Sequence, residues 1–110
     1  MVYNLTPHDV RIVKEHGDQV YPPHGQIARV EVSAERIGTK DGIPIFRTIY
    51  GDVTGLPAPE AGTEYIVSQV VANACPERTD LLYPYGLIRD EQGRVVGCEG
   101  LTGNVSEEDF

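Results

Sequence analysis

The sequence predicts a single α+β domain dominated by antiparallel β-strands, with one short helix near residues 68–75. Three observations carry that prediction. Twelve Gly and eight Pro in 110 residues make turns frequent and leave little room for long helices. The apolar set is led by thirteen Val, with two Phe, one Met and no Trp, and β-branched residues favour strands. Polar and apolar residues alternate from Ala28 to Ala34, the period of a strand with one buried face. A chain of this length buries roughly two-thirds of its extended surface on folding, enough for one core.

The elements follow in order. Val2-Tyr3-Asn4-Leu5 opens a meander that turns at Thr6-Pro7-His8-Asp9 and resumes at Val10 to Lys14. After a turn at His16-Gly17-Asp18, the short strand Gln19-Val20-Tyr21 ends at Pro22-Pro23, which cannot donate ladder hydrogen bonds and so marks an edge or a crossing. The clearest strand runs from Ile27 to Ile37, with Ala28, Val30, Val32 and Ala34 on the face expected in the core and Arg29, Glu31, Ser33 and Glu35 on the other. Thr39-Lys40-Asp41-Gly42 supplies a hairpin turn, because an Asp-Gly step tolerates positive φ, and Ile43 to Tyr50 returns as a strand. Residues 51–62, with three Gly and two Pro, read as a surface loop. Glu64 to Val67 is a buried-type strand, and Ser68 caps a helix that Pro76 stops. Leu81 to Tyr83 and a hairpin of Leu87 to Arg89 with Arg94 to Cys98 complete the set. The domain is expected over 1–105 and an acidic disordered tail over 106–110.

The formal charge is −8, from 17 acids against nine bases, which argues against a duplex nucleic-acid partner. Seven of the nine bases are Arg, the residue suited to bidentate capture of phosphate or carboxylate. No apolar run reaches the ~18 residues that span a bilayer, so no membrane partner is expected and the location reads as cytoplasmic. Cys75 and Cys98 match no paired metal-ligand or redox spacing and read as two small buried hydrophobes.

His8, His16 and His24 recur every eight residues and could converge on a metal. The spacing is no known ligand pattern, and His8 and His24 follow prolines in turns, so the reading preferred is turn histidines, with no metal or other cofactor implied. No nucleophile elbow, zincin helix or phosphate-loop signature occurs, and no enzyme is expected. Three compact polar clusters stand out instead: the Asn4–Asp9 corner, Ser68 at a strand-to-helix step, and Arg78-Thr79-Asp80 after the helix. Each also has a purely local use, as an Asx or ST turn, an N-cap and a loop-closing ion pair respectively. The candidate ligand-binding residues are Asn4, Thr6, His8, Ser68, Arg78 and Asp80.

Asn4-Leu5-Thr6-Pro7-His8-Asp9-Val10, Tyr65-Ile66-Val67-Ser68, Arg78-x-Asp80-Leu81 and Gly93-Arg94-Val95-Val96-Gly97-Cys98 together resemble a family of small bacteriophage and actinobacterial proteins with no assigned chemistry. The resemblance implies a phage context. Small β-rich phage proteins of this size include sponges that sequester cyclic-nucleotide or ADP-ribose immune signals, such as the Thoeris and CBASS inhibitors, an analogy of fold and context only. The leading expectation is therefore a non-enzymatic, phage-encoded binding protein, acting in the host cytoplasm. It would hold a small anionic ligand, a cyclic nucleotide or ADP-ribose derivative, in a homo-oligomer, because so small a core encloses a polar ligand more readily between protomers than within one. The alternatives are a phage structural or scaffolding protein acting only through protein contacts, and a small histidine-dependent enzyme.

Overall fold

The computed structural model describes residues 1–105 and Glu108. Among these, eight strands and one helix follow as β1 (Val2–Asn4), β2 (Val10–Ile12), β3 (Gln19–Tyr21), β4 (Arg29–Lys40), β5 (Ile43–Thr54), β6 (Glu64–Ile66), α1 (Gln69–Ala74), β7 (Leu81–Arg89) and β8 (Val95–Gly103). The fold is α+β and strand-dominated, with the short helix where the sequence places it. The expected acidic tail lies, apart from Glu108, outside the described residues.

Six strands form one sheet in the order β1-β6-β7-β8-β2-β3. Its longest ladder, β7 with β8, is antiparallel, as is β2 with β3, whereas β1–β6, β6–β7 and β2–β8 are parallel joints of three register pairs or fewer. The sheet curls until its two edge strands meet. Pro23, just beyond β3, bridges Asn4 of β1, and because proline has no N–H it is His24 that donates to the Asn4 carbonyl, at 2.8 Å.

Alternation along β6 sends Tyr65 and Ile66 to opposite faces of the sheet. Tyr65 belongs to a core beneath α1 with Leu5, Val67, Val71 and Leu81, all but Tyr65 at 1% exposure or less. Ile66 packs on the other face with Val10, Ile12 and Cys98. A helix of six residues has no stability of its own, so α1 depends on burying Val71 and Ala72 and on its caps. The Ser68 hydroxyl accepts the Val71 N–H at 3.4 Å, and at the other end the Asn104 side-chain amide donates to the Ala72 and Cys75 carbonyls at 2.9 and 3.0 Å.

Among the described residues β4 and β5 pair only with each other, and they form an arm. Their register runs from Arg29 opposite Thr54 to Lys40 opposite Ile43, and the tip is closed by Asp41 (φ 51°) and Gly42 (φ 78°), the two positive-φ positions of a tight hairpin turn. Twelve residues per strand give a ribbon about 40 Å long, which accounts for the 53 Å long axis of the molecule. The radius of gyration is 16.4 Å, against about 13 Å for a compact domain of this length. At the foot, Val30 and Val53 pack on the core beneath α1, the Ala28 N–H donates to the Leu5 carbonyl at 2.9 Å, and the Gln26 side chain donates to the Gly55 carbonyl at 2.7 Å. Gly55 holds φ 77°, and a Cβ there would collide with the Ile27 carbonyl.

Four expectations are corrected here. The N-terminal strands do not form a meander, because β1 pairs in parallel with β6 while β2 lies between β8 and β3 at the other side of the sheet. Leu81 to Tyr83 and Leu87 to Arg89 are one strand, because Pro84 and Tyr85 stay in register with Leu101 and Gly100 of β8. The face Ala28-Val30-Val32-Ala34 is buried only at its foot, because among the described residues no helix or second sheet lies against the arm beyond Val30. The loop expected at 51–62 begins only at Gly55, because a register shift seats Gly51 and Asp52 opposite Glu31 and lets β5 run on to Thr54.

Candidate functional site

The Asn4–Asp9 corner is the seam of the curled sheet. Asn4 is only 2% exposed. Its Nδ2 donates to the His8 and Tyr21 carbonyls at 2.7 and 2.8 Å, and its Oδ1 accepts the Thr6 N–H at 2.9 Å and the Thr6 hydroxyl at 2.6 Å. Both donors and the acceptor oxygen are thus engaged with the protein's own chain, and one amide ties β1 to the end of β3 and to the corner between β1 and β2. The Thr6 hydroxyl also lies 3.1 Å from the His8 carbonyl. The His8 side chain stands exposed, while His24 packs on Tyr3 with ring centroids 4.6 Å apart. Among the described residues no group of three or more His, Cys, Asp or Glu is gathered as a metal site.

Arg78 and Asp80 form a bidentate pair, Nε to Oδ1 at 2.9 Å and Nη2 to Oδ2 at 2.8 Å, with side chains only 15% and 14% exposed. Arg78 Nη2 also donates to the Pro57 carbonyl at 2.9 Å, fastening the loop after β5 to the connection between α1 and β7. The hydrogen bonds to Asp80 raise the guanidinium above its ordinary pKa, against the opposing effect of burial. The depression beside the pair, about 310 Å³, is lined by Glu60, Glu77 and Asp80 as well as Arg78, a balance that repels an anion.

The six candidate residues therefore do not converge. Ser68 shares a cleft with Pro7 of the corner, Arg78 and Asp80 border a different depression, and Asn4 and Thr6 spend their polar atoms on the seam. The two thiols sit in separate cores, Cys75 beneath α1 and Cys98 on the opposite face. Both are free and buried, as expected of small hydrophobes, and burial pushes both above the ordinary thiol pKa. The Cys98 thiol donates to the Arg11 carbonyl at 3.4 Å.

A cleft of about 660 Å³ lies where the foot of the arm meets α1. Ile27, Ala28, Val30, Val70 and Val71 give it an apolar floor, and Arg29, Glu31 and Asp52 stand at its rim. Among the described residues Arg29 makes no ion pair. Sequence reasoning misses this cleft because it needs the arm's foot and α1, remote along the chain, to be neighbours. It also misses the arm's surface, where Val32, Ile37, Ile43, Ile45, Phe46, Ile49 and Tyr50 stay exposed, Phe46 at 58% and Ile43 at 61%. The available signal was the run Ile43 to Tyr50, apolar at neighbouring as well as alternate positions, beyond what a ribbon can cover by itself.

Comparison with protein-family models, with curated proteins and with solved structures finds no match to this chain. Among the described residues no helix is long and apolar enough to cross a membrane.

Proposed function

We propose that this protein is a non-enzymatic interaction module that works through protein contacts made by its β4–β5 arm. The observation that carries this reading is the arm itself: a two-stranded ribbon that presents seven large apolar side chains to solvent on both faces. An isolated hairpin is marginally stable in water, and contiguous exposed apolar surface marks an interaction site. Asn4 and Asp80 support the same reading indirectly, since the Asn4 amide and the Asp80 carboxylate are engaged within the fold. A photo-crosslinking amino acid placed at Phe46 or Ile49, with Glu91 of the β7–β8 turn as control, tests it in the producing cell. Crosslinks to protein from the arm positions and none from Glu91 support the reading, and equal yields at the three positions overturn it.

A second reading, capture of a small anionic ligand such as a cyclic nucleotide in the host cytoplasm, is favoured by Arg29, which has no ion-pair partner among the described residues, and by the Ser68 hydroxyl on the same cleft. Glu31 and Asp52 on the same rim weigh against it. Calorimetry with a cyclic-nucleotide panel decides: a ligand bound and recovered unchanged, with affinity lost in Arg29→Ala, supports this reading, and no heat from any member removes it.

A further inference from the structure

We infer that the arm's partner is a second copy of this chain, bound by a two-fold axis with the arms antiparallel, so that each arm tip seats in the cleft at the foot of the other. This rests on the reading of the arm as a protein-contact element and goes on to name its occupant.

Charge is the first argument. Residues 29–54 hold Arg29, Arg36, Lys40 and Arg47 against Glu31, Glu35, Asp41 and Asp52, so the arm is neutral and the rest of the chain carries the whole −8. Two copies can meet arm to arm without the repulsion that a meeting of bodies would bring. Within the arm the charge is polarised. Glu35 and Arg47 cancel each other at mid-length through a 2.7 Å ion pair. Beyond them the tip holds Arg36, Lys40 and Asp41, net +1, and below them the foot holds Arg29, Glu31 and Asp52, net −1. An antiparallel pair lays each tip over the other copy's foot and matches opposite signs twice, whereas a parallel pair lays like on like.

Shape is the second argument. The tip is apolar, with Ile37, Ile43, Ile45 and Phe46 around the basic pair, and the cleft is an apolar floor whose rim carries two acids against one base, Glu31 and Asp52 with Arg29. Cross-strand register puts Val32 with Tyr50, Ala34 with Thr48 and Arg36 with Phe46 on one face, so the small Ala34–Thr48 row lies between two larger ones. A two-fold through that row brings Phe46 of one copy against the Val32–Tyr50 row of the other. Association edge to edge is disfavoured, because register shifts between Val30 and Val32 and between Arg36 and Gly38, together with Pro44, interrupt both edges of the ribbon.

Area is the third. A ribbon about 40 Å long and about 10 Å wide offers about 400 Å² per face, so two arms with their tips in the clefts bury on the order of 1,000 Å², the lower end of specific interfaces.

The test is sedimentation of the purified chain and three charge variants, all at exposed positions. The wild type is expected to be a dimer at micromolar concentration. Arg36→Glu with Lys40→Glu turns the tip to −3, and Glu31→Lys with Asp52→Lys turns the foot to +3; each pair is expected to weaken the dimer about tenfold or more. The chain with all four substitutions restores opposite signs and is expected to recover the dimer. A monomeric wild type overturns the inference, and so does a four-fold variant weaker than either pair, the result a parallel arrangement gives. A monomeric wild type whose arm still crosslinks a different protein in the cell leaves the proposed function standing, whereas a monomer with no arm crosslinks removes both.

Discussion

The curled sheet and the arm are built from the same residues, Val, Ile and Tyr on strands, and they end in opposite states. In the sheet Val67, Ile66 and Leu81 are fully buried, and the one buried polar side chain, Asn4, has a partner for every donor. In the arm Val32, Ile43 and Tyr50 lie on a well-paired ladder and yet stay in water. Pairing alone thus does not bury a strand; a second layer must lie against it. The body has that layer in α1 and in its own closure, and the arm has it only at the foot, where Val30 and Val53 reach the core.

The sharpest way to break the comparison is at the seam. Asn4→Ala is expected to cost about 3 kcal/mol, because the Thr6 N–H and the His8 and Tyr21 carbonyls lose their partner in a buried place. Chemical denaturation measures it, and a loss under 1 kcal/mol would mean that the curled sheet does not depend on its amide. Gly55→Ala is expected to cost about 2 kcal/mol through positive φ and the clash with Ile27, and to loosen the arm's foot before the body melts. Arg78→Ala is expected to cost about 2 kcal/mol, more than an exposed pair, since it leaves the largely buried Asp80 carboxylate alone. His8→Ala is expected to change stability by less than about 0.5 kcal/mol, as an exposed side chain outside the seam network should; a fall as large as that of Asn4→Ala would place His8 in the seam.

The thiols give a smaller, pH-dependent effect. Both have folded pKa values raised by burial above the 9.0 of an exposed thiol. The protonated thiol is favoured in the folded state, so this contribution is fully present below pH 9 and is lost as pH rises through the folded values. Neither cysteine is expected to react with a soluble thiol reagent at pH 8 until denaturant is added, and rapid labelling of the native protein would contradict their burial.

The features with local signals were legible in the sequence, in the arm and in the body alike. The Asp41-Gly42 step specifies the arm's hairpin, and Ser68 and Pro76 bracket the helix of the body. The parallel joints were not legible, since one to three register pairs leave no periodic trace. The alternation from Ala28 to Ala34 correctly reported a strand but not its environment, because period two says which residues share a face and nothing of what covers it. That the candidate residues lie apart was not legible for a related reason. Density of polar groups at Asn4–Asp9 looked the same whether the groups served a ligand or one another, and only the approach of Tyr21 across the seam distinguishes the two.

Hydrogen exchange read residue by residue at two protein concentrations tests the contrast between body and arm most directly. The account predicts that β6, β7 and β8 are protected equally when dilute and when concentrated, while amides of β4 and β5 beyond Val30 and Val53 exchange fast when dilute and slow markedly when concentrated. Arm amides as protected as those of the sheet at the lowest concentration would contradict it, for the arm would then hold its structure without a covering partner.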